Sequence, residues 1–269
     1  MIRVLVTILF TIVSVFSLKA QYWFGVKVGG QMALHDYLDN HYRDTFDIAP
    51  NLNYQAGAIF SYTASRTYSV HGELYYKRLG RQLENNEFNI QAKSFQISHY
   101  LTAPFMFRVN IHFGNFPLAL YVNGGIELNY WLGGNGGLRL DEFEEFFSEE
   151  ELQDEYPVRY KIVFSERARK SESDRWLVDG NRLQYAITGG FGTTFTLPNG
   201  SRIVADARYT RAHSNMGFNG SPDFQWAAYY ENFEYRPHQI ALTLGYQMEY
   251  NAQLARKGKS TNKESNRRR

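Results

Sequence analysis

Polar and apolar residues alternate along most of this chain with a period of two. The clearest stretch is His238–Tyr250. Ile240, Leu242, Leu244, Tyr246, Met248 and Tyr250 fall on one face, and Gln239, Ala241, Thr243, Gly245, Gln247 and Glu249 on the other. Such alternation marks a strand with one greasy face and one small or polar face. Seven more segments follow it: Trp23–Met32, Asn51–Tyr62, Tyr68–Leu79, Phe95–Val109, Leu118–Trp131, Leu183–Thr196 and Arg202–Arg211. Strands of about 10–14 residues are long enough to cross a bilayer when tilted.

The connections alternate between short and long. Those near Ala64, His112 and Asn199 are tight, and Leu197-Pro198-Asn199-Gly200 is a turn signature. The other four, 33–50, 80–94, 132–182 and 212–237, are long. A soluble sandwich gives no reason for that rhythm, whereas outer-membrane barrels have short periplasmic turns and long external loops. Aromatic residues gather near strand ends: Trp23, Tyr54, Tyr62, Tyr76, Phe107, Tyr130, Trp131, Tyr185, Phe195, Tyr209 and Tyr250. The expectation is that they form girdles at the two membrane surfaces. The pattern therefore predicts an all-β, eight-stranded antiparallel up-and-down transmembrane β-barrel with long extracellular loops, a monomer, over residues 21–250.

Residues 1–20 read as a secretory signal peptide. Arg3 supplies the positive start, and the apolar run that follows is about 13 residues, short of the roughly 20 a spanning helix needs. The expected location is the bacterial outer membrane. Residues 251–269 carry seven Lys and Arg against Glu264 alone and no aromatic residue, which predicts a basic, disordered periplasmic tail.

Composition narrows the chemistry. The 269 residues include 20 Tyr, 20 Phe and 22 Gly, and no Cys. Mean hydropathy of −0.45 excludes a bundle of membrane helices. The lack of Cys excludes a disulfide scaffold, a Cys zinc site, a thiol nucleophile and a lipoprotein anchor. A formal net charge of +2 gives no bulk field for nucleic acid.

Two stretches resemble the outer-membrane β-barrel family of the Bacteroidetes labelled PorT-like. Ser69–Gly80 is similar to one strand motif of that family and Ile97–Arg108 to another, with weaker echoes at Gly124-Gly125-Ile126 and Arg208-Tyr209-Thr210. The chain departs from the pattern at Thr102, where the family carries an acidic residue, and in the length of its third long loop. The resemblance implies the barrel fold, and its named member implies a link to type IX secretion.

On the inward faces the alternation places Lys27, His71, Glu73, Lys77, Arg108, Glu127, Asp206, Arg208 and Glu249. An eight-stranded barrel has an interior that side chains fill, and buried charges must be paired. The expectation is a charge network that plugs the lumen, centred on Glu73, Lys77, Glu127, Asp206 and Arg208.

Catalytic alternatives are weak. His213-Ser214-Asn215 offers hydrolase residue types, but without a nucleophile elbow. His35, Asp36, Asp39, His41, Asp44 and Asp47 crowd the first long loop without helical metal-ligand spacing. No catalytic residue, cofactor or metal is implied. In the third loop, residues 141–151 are acidic with Phe143, Phe146 and Phe147 at helical spacing, and the following half is basic; short amphipathic helices are expected there. The function expected is a non-enzymatic structural or interaction protein, an accessory of an outer-membrane secretion or surface assembly. Its expected partners are outer-membrane lipid, lipopolysaccharide and a periplasmic or outer-membrane protein. A narrow porin or small-solute channel is the first alternative, and an outer-membrane hydrolase acting on lipid or peptide the second.

Overall fold

The computed structural model describes residues 21–85, 92–114, 116–140, 157–162, 164, 175–177, 180–217, 224–226, 229–231 and 234–250. The expected signal peptide, the acidic Phe-bearing half of the third loop and the basic tail lie outside the described residues.

Eight long strands close a ring. They are β1 (Gln21–Tyr37), β2 (Asn51–Thr63), β3 (Tyr68–Asn85), β4 (Ala92–His112), β5 (Leu118–Leu140), β6 (Leu183–Thr196), β7 (Arg202–Ala212) and β8 (Tyr235–Tyr250). Each pairs antiparallel with its chain neighbours, and β1 pairs with β8, Tyr22 opposite Tyr250 and Tyr37 opposite Tyr235. Closure leaves these strands without a free edge, the condition for a sheet that spans lipid. The chain enters at Gln21 and leaves at Tyr250 on the same end as the three tight turns, Thr63–Tyr68, His112–Leu118 and Thr196–Arg202.

Alternation becomes two surfaces. Val26, Val28, Leu74, Phe105, Val122, Ile126, Phe191, Leu242 and Leu244 are exposed on the outer wall. From Tyr250 to Ile240 this wall advances ten residues, which at about 3.3 Å per residue and a tilt of about 40° covers about 25 Å, the height of an outer-membrane apolar band. Lys27, Glu73, Lys77, Thr102, Glu127, Asp206 and Arg208 are buried inside.

The strands run further at the end away from the tight turns than their alternation announced. The β3 strand continues from Leu79 to Asn85, β4 begins at Ala92, and β5 continues past Trp131 to Leu140. In these extensions apolar side chains move to the inner face: Gln82, Glu84 and Lys93 point outward, while Leu83 and Leu138 are buried within beside the polar Arg81, Asn85 and Ser94. Lipid no longer faces the outer wall there, so the apolar side turns inward. Residues 132–140, expected in the loop, are thus strand. Val158–Ile162 adds to the β5 extension along Gly134–Leu138, and Arg175–Leu177 lies parallel beside it. Within this end Tyr37, Leu83, Tyr100, Trp131, Leu138, Tyr160, Met216 and Tyr235 form a continuous apolar core.

Two residues expected in the girdles belong inside. Trp23 is 2% exposed and Trp131 fully buried. Trp23 packs under the Arg202 guanidinium at 3.5 Å, and Trp131 stacks on Tyr100 with centroids 5.9 Å apart. Tyr54, Tyr130, Tyr185, Tyr209 and Tyr250 do stand on the outer wall.

Candidate functional site in the barrel lumen

The site is built by parity. Lys27 on β1, Glu73, Tyr75 and Lys77 on β3, Glu127 on β5, Asp206 and Arg208 on β7, and Gln239 and Thr243 on β8 all occupy inward positions at neighbouring heights. The β3 and β7 strands stand opposite one another in a ring of eight, so their long side chains meet near the axis.

Arg208 clasps Glu73 with two hydrogen bonds, Nη1 to Oε2 at 2.8 Å and Nη2 to Oε1 at 3.1 Å. Lys27 Nζ donates to Glu73 Oε1 at 2.9 Å and to Asp206 Oδ2 at 2.7 Å. Arg208 also reaches Asp206 at 3.3 Å. The remaining Asp206 oxygen accepts from Thr243 at 2.7 Å, and Tyr121 donates to Asp206 at 3.2 Å. Two cations and two carboxylates thus form a closed, neutral cycle with its oxygens satisfied. A second pair lies beside it: Lys77 donates to Glu127 at 2.6 Å and to Gln239 at 3.1 Å, and Tyr75 donates to Glu127 at 3.3 Å. Buried ions are tolerated in this form because each partner offsets the other's lost hydration.

The nine residues singled out in the sequence divide into three groups. Lys27, Glu73, Lys77, Glu127, Asp206 and Arg208 meet in these two clusters. His71 and Arg108 are buried below them without an ion pair among the described residues. The His71 ring is held between Ser61 at 2.7 Å and Ser69 at 3.0 Å, and Arg108 lies over the Tyr121 ring at 3.6 Å. Glu249 is not a member of the network. It sits opposite Trp23 where β8 leaves the barrel, and it is exposed. Its parity is inward, but the mouth is open to water at that height, so nothing compels it to pair.

Other inward residues join the filling. Arg81 donates to Tyr37 at 2.7 Å and lies over the Tyr235 ring at 5.2 Å. Arg202 shares the parity of Asp206 and Arg208, which is the signal that marks it as inward. Arg81 lies in the extension of β3, where the alternation changes sense.

The catalytic alternatives do not assemble. His213 stacks on Tyr185 on the outside of the barrel. Ser214 Oγ accepts from the Tyr185 backbone N–H at 2.9 Å, and Asn215 Oδ1 accepts from Arg236 Nε at 2.8 Å. In the first loop region His35 faces inward beside Tyr235, whereas Asp36 faces outward toward His238 at 3.7 Å. Adjacent strand positions point to opposite faces, and among the described residues no three His, Asp or Glu side chains converge.

Residues 18–216 match the family model described as outer membrane protein beta-barrel domain. The chain belongs to this family. It is a protein of the bacterial outer membrane, and by the rule of such barrels the tight-turn end faces the periplasm. No curated protein matches it significantly. Among solved structures it is similar to the outer membrane protein OprG from Pseudomonas aeruginosa, at 12% identity over 87% of this chain and 98% of that one, with a TM-score of 0.46. It is also similar to Neisserial surface protein A, at 9% identity over 86% of this chain and 99% of that one, with a TM-score of 0.38.

Proposed function

We propose that this family member is a monomeric, non-enzymatic barrel whose lumen is sealed, and that its work is structural or interactive at the outer membrane. The reading extends to an accessory role in a secretion or surface assembly of the type IX kind, which the PorT-like stretches Ser69–Gly80 and Ile97–Arg108 suggest. The observation that carries it is the double closure of the lumen. Ion-paired side chains from opposite strands meet across its middle, and an aromatic core fills its outer end. A barrel filled in this way offers its rims and outer wall, and not a passage, to other molecules.

The reading is tested by placing a photo-crosslinking residue at Leu38, exposed just beyond β1, in cells with their own outer membrane. A discrete crosslinked protein is expected. Crosslinks to lipid alone, together with sugar-driven swelling of liposomes holding the pure barrel, would replace this reading with a small-solute channel.

A further inference from the structure

Below the charge clusters the lumen widens into a vestibule of about 530 Å³ that opens at the periplasmic end. Its wall is built from inward residues of all eight strands together with the Thr63–Tyr68 turn. Arg66, Arg108 and Arg202 line it with His71 and His112, and no Asp or Glu is among the lining residues.

Arg108 is the unusual member. It is 2% exposed, and its Nε and Nη2 have no hydrogen-bond partner. Its guanidinium lies over the face of Tyr121. Glu73 and Asp206 attract it from the clusters above, but both already accept from Lys27 and Arg208. Lys27, Arg108 and Arg208 thus share two carboxylates, one positive charge in excess. Asn123 is the register partner of Arg108 on β5, and both of its side-chain polar atoms are also buried without a partner. Arg202 adds a third guanidinium whose Nε is unpartnered. Buried donors left unmatched are costly, charged ones most of all. Unmatched guanidinium donors from β4 and β7 on the wall of one cavity suit an acceptor that presents oxygens in several directions.

We propose that the periplasmic vestibule binds a small tetrahedral oxyanion of the phosphate class, with Arg108 as the principal contact and Arg202 and Arg66 as its flanking charges. The cavity opens along the barrel axis and not through the outer wall, so the ligand is a soluble phosphate or phosphate monoester and not a lipid headgroup. Guanidinium groups match such oxygens in pairs.

The test is isothermal titration calorimetry of the full-length protein in a sugar detergent with inorganic phosphate. Sodium chloride at matched ionic strength and sodium acetate serve as competing anions. Saturable one-to-one binding of phosphate is expected, with chloride and acetate much weaker. Arg108→Gln should weaken it by about tenfold or more, the loss of one charged hydrogen-bonding contact. Arg202→Gln should weaken it less, and Arg211→Gln, on the outer wall, not at all. If Arg108→Gln fails to give the folded species on an unboiled gel, Arg202→Gln decides. The absence of saturable phosphate binding, equal binding of acetate, or unchanged affinity in both Arg108→Gln and Arg202→Gln would overturn the proposal.

Discussion

Arg208 on β7 reaches across the lumen and sets its guanidinium on the Glu73 carboxylate of β3 through two hydrogen bonds, at 2.8 and 3.1 Å. The two residues are 135 positions apart in the chain, and their contact ties opposite walls of the ring together. Lys27 and Asp206 complete the cycle, so any one member supports two others.

Removing one member alone should be costly. Arg208→Leu leaves Glu73 and Asp206 sharing Lys27, and breaking a buried pair in this way costs about 3–5 kcal/mol. The folded species of Arg208→Leu should lose its compact mobility at a lower temperature on unboiled gels. Glu73→Leu combined with Arg208→Leu should recover part of that loss, since Lys27 and Asp206 then remain as a matched pair. A double variant that loses as much as the two single changes added together would show that the two residues do not act together.

The outer wall should respond to depth. Leu244 lies near the middle of the apolar band, between Val28 and Ala205 of the neighbouring strands. Leu244→Arg should cost about 2–4 kcal/mol in urea titrations of folding into vesicles, and Leu52→Arg, at the outer rim, about 0–1 kcal/mol. Equal costs at the two sites would contradict the band as drawn.

Adjacent glycines in β5 should behave differently. A Cβ on Gly125 would lie 1.9 Å from the Phe105 carbonyl oxygen and 2.8 Å from Met106 Cα. One on Gly124, on the outer wall, would meet nothing nearer than the Thr188 oxygen at 3.9 Å. The inward glycine lets the neighbouring strand backbone approach closely, which sharp coiling of a small barrel requires. Gly125→Ala should destabilise by about 1–3 kcal/mol, the usual cost of overpacking. Gly124→Ala should be close to neutral. Thermal melts of the two purified variants, read by circular dichroism, make the comparison.

Much of this architecture was legible because lipid imposes one rule on every strand. Period two alone located all eight strands and the three tight turns, and parity alone put Lys27, Glu73, Lys77, Glu127, Asp206 and Arg208 on one surface. The same parity would have placed Trp23 with Lys27 and Trp131 with Glu127. Their positions near strand ends suggested girdles instead, and that second signal was the misleading one. The extensions beyond Leu79 and Trp131 were illegible for a different reason. Outside the bilayer the outer wall meets water, so Gln82 and Glu84 stand outward, Leu83 and Leu138 turn inward, and the pattern that marks a membrane strand is lost. Glu249 shows the limit of parity, which gives a direction but not whether a closed wall stands at that height. The orphaned guanidinium of Arg108 could not be read at all, because it depends on how two other cations consume the carboxylates above it.

The claim on which the rest depends is that the lumen is sealed, and single-channel recording in planar lipid bilayers tests it most directly. Purified barrel in symmetric potassium chloride should insert without discrete current steps. A protein-free bilayer recorded in parallel sets the baseline for that comparison. Reproducible unitary conductance from the wild-type protein would contradict the sealed lumen and make this barrel a channel.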